Sequence, residues 1–384
     1  MNQINRLYIH VPFCQSKCAY CAFHSIPISG NDTLINKYFA KLKNDINKFK
    51  LLTSPLKSIF IGGGTPSFLN TKDIEKLFTL IYNNFIITKD TEVTMENNPE
   101  SLTEEKINII SNFVNRVSLG IQSFNEKHRS IIGRIGSNRN IYNVIDTLIK
   151  YKIDNISADL IFGIPTQTLD DWKKELKNVI KIPIKHLSTY ALTIEEGTKL
   201  YSSKNIKSLD DDTTVDMWNL TSDLSQAGLE RYEVSNFSIP GYECKHNLDT
   251  WFGGKYLGLG PTASSFDGKT RWTEPILDEW LIGKQPDTDY LSPYERIIEI
   301  FIMGLRTSHG WMIEQLETGN RLLISKFPHH LKLNATDWEK LDRKLSNLHN
   351  AGLLNIENID SYKMRISPTE HGLLFWNEIA LELL

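Results

Sequence analysis

Cysteine is scarce: the chain has four in 384 residues, too few for the disulfide framework of a small secreted domain. An excess of charge of one sign is also missing. Forty-three Lys and Arg stand against 46 Asp and Glu, for a net charge of −3 at pH 7. No surplus positive field is therefore available to draw in nucleic acid or an anionic membrane. No uninterrupted apolar run approaches the ~20 residues needed to span a bilayer. The opening "MNQINRLYIHVPF" lacks a basic segment followed by a long apolar core, so no signal peptide is expected. Internal repeats and low-complexity linkers do not stand out. What these absences leave is a soluble, cytoplasmic protein, long enough for two or three structural units with a sizeable core.

What is present is rhythm. Short apolar runs end in Gly, Pro or polar residues at 7–13, 58–64, 92–99, 116–124, 157–165 and 186–192. Between most of them lie segments of helical period, such as "DIEKLFTLIYNNF" (73–85) and "RNIYNVIDTLIKYK" (139–152). Strand and helix alternating in this way predict a parallel β/α sheet. About six units fit before residue 200, too few for a closed eight-stranded barrel, so an open or partial barrel is expected. Its polar residues gather where strands finish, the edge at which β/α folds place their sites. After residue 200 the rhythm changes. "WNLTSDLSQAGLERYEVSNFS" reads as a helix, a turn at Gly228 and a strand. From about 290, mostly helical segments predict a smaller C-terminal domain, mainly helical and winged-helix-like. The expected division is 1–200, 201–289 and 290–384. The mixed charge of "DWEKLDRKLSNLHN" gives that last part no basic face for nucleic acid.

Three of the four cysteines, Cys14, Cys18 and Cys21, fall within eight residues in C-x3-C-x2-C spacing on the loop after the first strand. A disulfide would require an oxidising compartment and a pairing scheme for an odd trio. Structural zinc would require four ligands, typically from two knuckles, and distant Cys244 is a poor second knuckle. Thiolates also suit iron–sulfur clusters. A 4Fe-4S cluster held by three cysteines keeps one iron open to an exchangeable ligand, which gives a physical reason for stopping at three.

With its place after strand one and its flanking "YIHVPF", this trio resembles the radical S-adenosylmethionine superfamily. The resemblance implies a partial (β/α)6 TIM-like barrel, a 4Fe-4S cluster on Cys14, Cys18 and Cys21, and S-adenosylmethionine on the open iron. Further motifs follow in the order expected of the family. Gly62–Gly63–Gly64–Thr65–Pro66 follows the second strand and permits close backbone approach with exposed amides. Glu96 ends the third strand, and Gln122, Arg134 and Asp159 follow in "GIQSF", "IIGRIG" and "ADLIFGIP". Arg can pair with a carboxylate, and Asp can accept from ribose hydroxyls or an ammonium. The resemblance thereby implies S-adenosylmethionine contacts from Tyr8, Gly63, Gly64, Thr65, Glu96, Gln122, Arg134, Asp159 and the backbone near Ala191. Taken singly, each is an ordinary turn, strand-end or surface residue; their order sets them apart.

Over nearly its full length the chain resembles the HemN-like coproporphyrinogen dehydrogenase group, and within it the heme chaperone branch, HemW. The dehydrogenase pattern has another cysteine two residues after the trio, where this chain has Phe23, and an extension before the first strand. A second signature, "YEVSNFSIPGYECKHNLDTWFGGKYLGLGPTASSF" (232–266), resembles the chaperone pattern of a His-Asn pair after Gly-Tyr and a cysteine. It implies His246, and secondarily Cys244, as heme ligands, while chemical type alone would make such a His a packed residue. Thr250, Ser264 and Gly136 depart from the pattern, standing where Tyr, His and His are expected.

The implied function is a heme chaperone that binds heme as cargo and passes it to an acceptor protein, respiratory proteins included. A reducing partner, a homodimer and transient contact with the inner face of the membrane are implied with it. Binding S-adenosylmethionine and cleaving it are separate properties, so no catalytic residue is assigned. The alternative is an oxygen-independent coproporphyrinogen III dehydrogenase producing protoporphyrinogen IX by radical oxidative decarboxylation.

Overall fold

The computed structural model describes residues 4–29, 32–203, 207–325 and 330–384. Six parallel strands carry the N-terminal half: β1 (Ile4–Val11), β2 (Thr53–Gly63), β3 (Ile87–Asn97), β4 (Arg116–Gln122), β5 (Ile156–Phe162) and β6 (His186–Ala191). They lie side by side in chain order, and each coincides with one of the apolar runs read from the sequence. Leu257–Leu259 pairs in parallel with β1, and Asn236–Ser238 pairs antiparallel with β6. Glu230–Arg231 then forms the outermost strand, giving nine in an open sheet.

The connecting helices are α1 (Asp32–Phe49), α2 (Thr71–Tyr82), α3 (Glu104–Ile110), α4 (Glu126–Ile131), α5 (Asn138–Lys150) and α6 (Leu169–Ile180). Helix α2 shows why they form here. The Asn70 side chain accepts from the Asp73 backbone N–H at 2.9 Å, satisfying one of the unpaired donors of the first turn. Ile74, Leu77, Phe78 and Ile81 then recur at helical spacing and are all buried. Ser137 caps α5 in the same way, over buried Ile141, Val144, Ile145 and Leu148.

The strands are two-faced. Leu7, Ile9 and Val11, Ile59 and Ile61, Val117, Leu119 and Ile121 join one apolar core with the helices. Because side chains alternate along a strand, their neighbours point to the concave side. Those neighbours include Arg6, Tyr8 and His10 on β1, Ser58 on β2, Glu92 and Glu96 on β3, Arg116 and Ser118 on β4, Asp159 on β5 and His186 on β6. The inside of the partial barrel is thus a column of polar and charged groups, most of them buried.

Two further helices, α7 (Asp211–Thr221) and α8 (Lys245–Trp251), belong to the middle of the chain. The turn after α7 is made at Gly228, whose φ of 80° suits glycine. From Pro293 the chain alternates helices with a five-stranded antiparallel sheet. Helices Pro293–Gly304, Ala335–Asn350, Glu370–Leu374 and Trp376–Leu383 hold more residues than the strands do. The strand, turn and helix read from "MRISPTEHGLLFWNEIALEL" are found at Lys363–Pro368 and the two helices after it. The other four strands of this sheet are additional to the sequence expectation. They are four or five residues long, too short for a clear period. A second core unites this part with Tyr232, Leu248, Phe252 and Phe266, so α8 packs toward the C-terminal part.

Candidate functional site

The carboxyl ends of the strands surround a cavity of about 780 Å³. Cys14, Cys18 and Cys21 all line it, and all are free thiols. The Cys14 loop is tied to the glycine run: Gly64 N–H donates to the Val11 carbonyl and Thr65 N–H to the Phe13 carbonyl, each at 2.8 Å. The Thr65 hydroxyl lies 3.4 Å from Cys14 Sγ. The Arg134 guanidinium reaches Cys18 Sγ at 3.8 Å from Nη1 and donates to the Gly120 carbonyl at 2.5 Å from Nη2. Burial pushes the Cys14 and Cys21 thiols up, while the Thr65 hydroxyl favours the Cys14 thiolate.

Gly63, Gly64, Thr65, Glu96, Gln122, Arg134, Asp159 and Ala191 line the same cavity. The Gly63 N–H donates to Glu96 Oε2 at 3.2 Å. Burial, and then the nearby Asp159 charge, raise the Glu96 carboxyl to about 7. Asp159 is also raised by burial, opposed by hydrogen bonds from Ser188 and Ser118; the Ser118 hydroxyl is 3.1 Å from each carboxylate oxygen. Gln122 has φ of 68°, in the left-handed region, beside a register shift between Gly120 and Gln122. Backbone held in that region by a non-glycine is a mark of local constraint at a site. Tyr8 is placed otherwise: it stands on the concave face of β1, its hydroxyl 3.1 Å from His10 Nδ1, and is not on the cavity wall.

His246 and Cys244 are not brought to this cavity. They sit at the start of α8, against the first halves of the barrel strands. His246 Nδ1 is 2.9 Å from the Ser58 hydroxyl, and its ring packs on Phe60 with centroids 5.4 Å apart. Glu92 accepts the backbone N–H groups of Lys245 and His246, each at 3.2 Å. Arg6 and Asp249 form an ion pair with both side chains buried. Ser58 lies five residues before Gly63, a separation of roughly 17 Å along an extended strand. Burial, with Arg6 and Arg116 nearby, holds His246 down to about 3, and burial pushes Cys244 up to about 12. Both are neutral, enclosed groups here.

Several residues were not anticipated from sequence. Ser118 and Ser188 orient Asp159, Tyr20 lines the cavity beside the cysteines, and Asn97 carries a buried Oδ1 without a hydrogen-bond partner. His10 stands directly behind the glycine run, where a Cβ on Gly63 would meet its ring at 2.6 Å. A signal existed for Ser118: it alternates with Val117, Leu119 and Ile121, marking the concave face of β4.

Three free thiols, Cys14, Cys18 and Cys21, on the wall of one cavity are a donor set that suits an iron–sulfur cluster.

The Radical SAM superfamily profile matches residues 8–179. A heme chaperone HemW of Lactococcus lactis is 32% identical over 323 residues, covering 82% of this chain and 84% of that protein. The heme chaperone HemW of Haemophilus influenzae is 30% identical over 394 residues, covering 98% and 97%. This chain belongs to the HemW family. The family carries the radical SAM domain, and with it the expectation of a 4Fe-4S cluster and S-adenosylmethionine. The coproporphyrinogen III oxidase HemN of Escherichia coli superposes with a TM-score of 0.81 over 99% of this chain and 90% of that one, at 20% identity; that likeness establishes the shared fold. Among the described residues no helix is long and apolar enough to cross a membrane.

Proposed function

We propose that the protein is a heme chaperone, binding heme as cargo and delivering it to an acceptor protein. The observation that carries this reading is the similarity, 30–38% identical over most of the chain, to proteins named heme chaperones. Cys14, Cys18 and Cys21 would hold the 4Fe-4S cluster, which when bound supplies an electron to S-adenosylmethionine on its open iron. The protein's own part is to position and insulate. Arg134 reaches the Cys18 sulfur, and Thr65 favours the Cys14 thiolate. Glu96 and Asp159 form an anionic wall for the ammonium and ribose hydroxyls, and the backbone of Gly63 and Gly64 permits close approach. Gln122, on the strand between those bearing Glu96 and Asp159, belongs to the same wall, Ala191 ends the next strand along, and Tyr8 acts from behind through His10. On the same reading the protein works in the cytoplasm, takes electrons from a reducing partner, pairs as a homodimer and delivers heme to respiratory proteins at the membrane. Heme ligation by His246 or Cys244 would require α8 to leave Glu92 and Ser58.

The test is an anaerobic absorbance titration of the cluster-reconstituted protein with heme, beside an assay with coproporphyrinogen III, S-adenosylmethionine and a reductant. Saturable binding near one heme per chain without porphyrinogen turnover is expected. Conversion to protoporphyrinogen IX would establish the dehydrogenase instead.

A further inference from the structure

We infer that the cargo heme seats on Phe23 and Ile135, at the rim of the cysteine cavity; the inference rests on the heme chaperone reading and names its site. Phe23 is 69% exposed and Ile135 is 77% exposed, and both line the same cavity. A single exposed apolar side chain is ordinary. Two bulky ones on separate loops around one opening mark a surface that a flat apolar ligand would cover.

The two residues stand at fixed places relative to the site. Phe23 follows Cys21 by two positions, and Ile135 follows Arg134 by one. The loops that bear them are packed together: Ala19 N–H donates to the Ile132 carbonyl at 2.9 Å, and a Cβ on Gly133 would come within 2.8 Å of Ala19 N. Chemistry within the cavity is segregated as well. Glu96, Asp159 and Gln122 make one wall polar, suited to an amino acid and a ribose, while Phe23 and Ile135 set apolar surface at the rim. Lys17 lines the cavity and lies near Cys21, where its ammonium can meet a propionate. Heme has this profile, a flat apolar macrocycle with carboxylates at one edge. His246, by contrast, is 7% exposed and held by Ser58 and Glu92, with no room for a macrocycle while α8 is in place.

Seated on the rim, heme lies across the way into the polar end. Heme and S-adenosylmethionine are then coupled reciprocally: bound heme slows the release of S-adenosylmethionine. The cargo site and the radical cofactor site are one cavity in two halves.

The experiment compares wild type, Phe23→Asp/Ile135→Asp and His246→Ala, each cluster-reconstituted and checked for iron, sulfide and S-adenosylmethionine binding. Each is titrated anaerobically with heme and with iron-free protoporphyrin IX. The rim variant is expected to keep its cluster and S-adenosylmethionine while binding heme roughly tenfold more weakly or worse. Protoporphyrin IX should bind wild type within a few-fold of heme, because the rim contact needs no iron. A rim variant that binds heme like wild type, or a loss confined to His246→Ala, overturns the inference and leaves the chaperone reading standing. A wild type that binds no heme overturns the chaperone reading and the rim site with it. Should the double variant lose its cluster, the single variant Ile135→Asp, remote from the cysteine loop in sequence, decides by the same criterion.

Discussion

The backbone N–H of Gly63 meets the Glu96 carboxylate at 3.2 Å, joining the end of β2 to the end of β3 at the wall of the cysteine cavity. That contact keeps one carboxylate oxygen engaged while burial and Asp159 resist its ionisation, leaving Glu96 to titrate at about 7.

A pH dependence follows from this. An ammonium group held against Glu96 favours the carboxylate, so S-adenosylmethionine binding releases a proton below about pH 7 and is opposed by acid. Affinity should rise as pH increases from about 6 to 8, and Glu96→Gln should be weaker and flat over that window. Calorimetric titration of the reconstituted protein in buffers of different ionisation heat checks both parts. A profile unchanged by Glu96→Gln would remove Glu96 from ligand contact.

Gly64 is the glycine whose replacement should act on the cluster. A Cβ there would lie 2.7 Å from the Phe13 carbonyl oxygen and 3.0 Å from Phe13 N, and backbone cannot yield as a flexible side chain can. Gly64→Ala should therefore push the Cys14 loop away from Thr65. The expected cost is about 1–3 kcal/mol of stability, with iron and sulfide retention reduced well below wild type. Gly62→Ala meets side chains rather than backbone, the end of Glu96 and, at 3.2 Å, the Phe60 ring, and should keep its cluster while weakening S-adenosylmethionine. Iron and sulfide analysis after anaerobic reconstitution separates the two.

The parts of this molecule that were legible in the sequence are those carried by short-range pattern. All six parallel strands announced themselves as apolar runs ending in glycine or polar residues, and α2 and α5 by their period. The cavity residues from Gly63 to Asp159 were reached through the family resemblance, whose motifs follow one another in the order of the strands. Long-range placement was not legible. Nothing near "ECKHNLDTW" indicates that His246 faces Ser58, 188 residues earlier, or that Glu92 caps the helix bearing it. Phe23 and Ile135 read as unremarkable apolar residues until the fold set them on one rim. The C-terminal sheet escaped because four of its five strands are only four or five residues long.

His246 makes a prediction for acid stability. Its imidazole is held to about 3 in the folded protein, against 6.5 ordinarily, so the unfolded chain binds more protons between these values. Stability contributed by the neutral ring is full above about pH 6.5 and is lost as pH falls toward 3. His246→Gln should flatten this dependence while leaving Ser58 a hydrogen-bonding partner. His246→Ala should be destabilised by about 1–3 kcal/mol above pH 6.5, because the Ser58 hydroxyl is left unsatisfied, and this deficit against wild type should shrink as pH falls toward 3, since the titrating ring is gone. Urea unfolding at a series of pH values distinguishes these outcomes.

The Arg6–Asp249 pair bears on how α8 is held. Both side chains are 2% exposed, and Arg6 Nη1 also donates to the Lys255 carbonyl at 3.2 Å. Burial lowers the Arg6 guanidinium to about 9, so its desolvation is large, and the Asp249 carboxylate and the Lys255 carbonyl are the groups that meet it. Removing that carboxylate leaves a buried cation unpaired. Asp249→Asn should cost about 3–5 kcal/mol, whereas Arg6→Met/Asp249→Leu, which removes both charges, should be close to neutral or more stable. If the pair's role is to hold α8 over the strand beginnings, Asp249→Asn should also raise the reactivity of Cys244 toward a thiol reagent in a background lacking Cys14, Cys18 and Cys21, and the double replacement should not. Equal reactivity in both would mean that the Glu92 cap and the packing of Leu248 and Phe252 hold the helix without help from the ion pair.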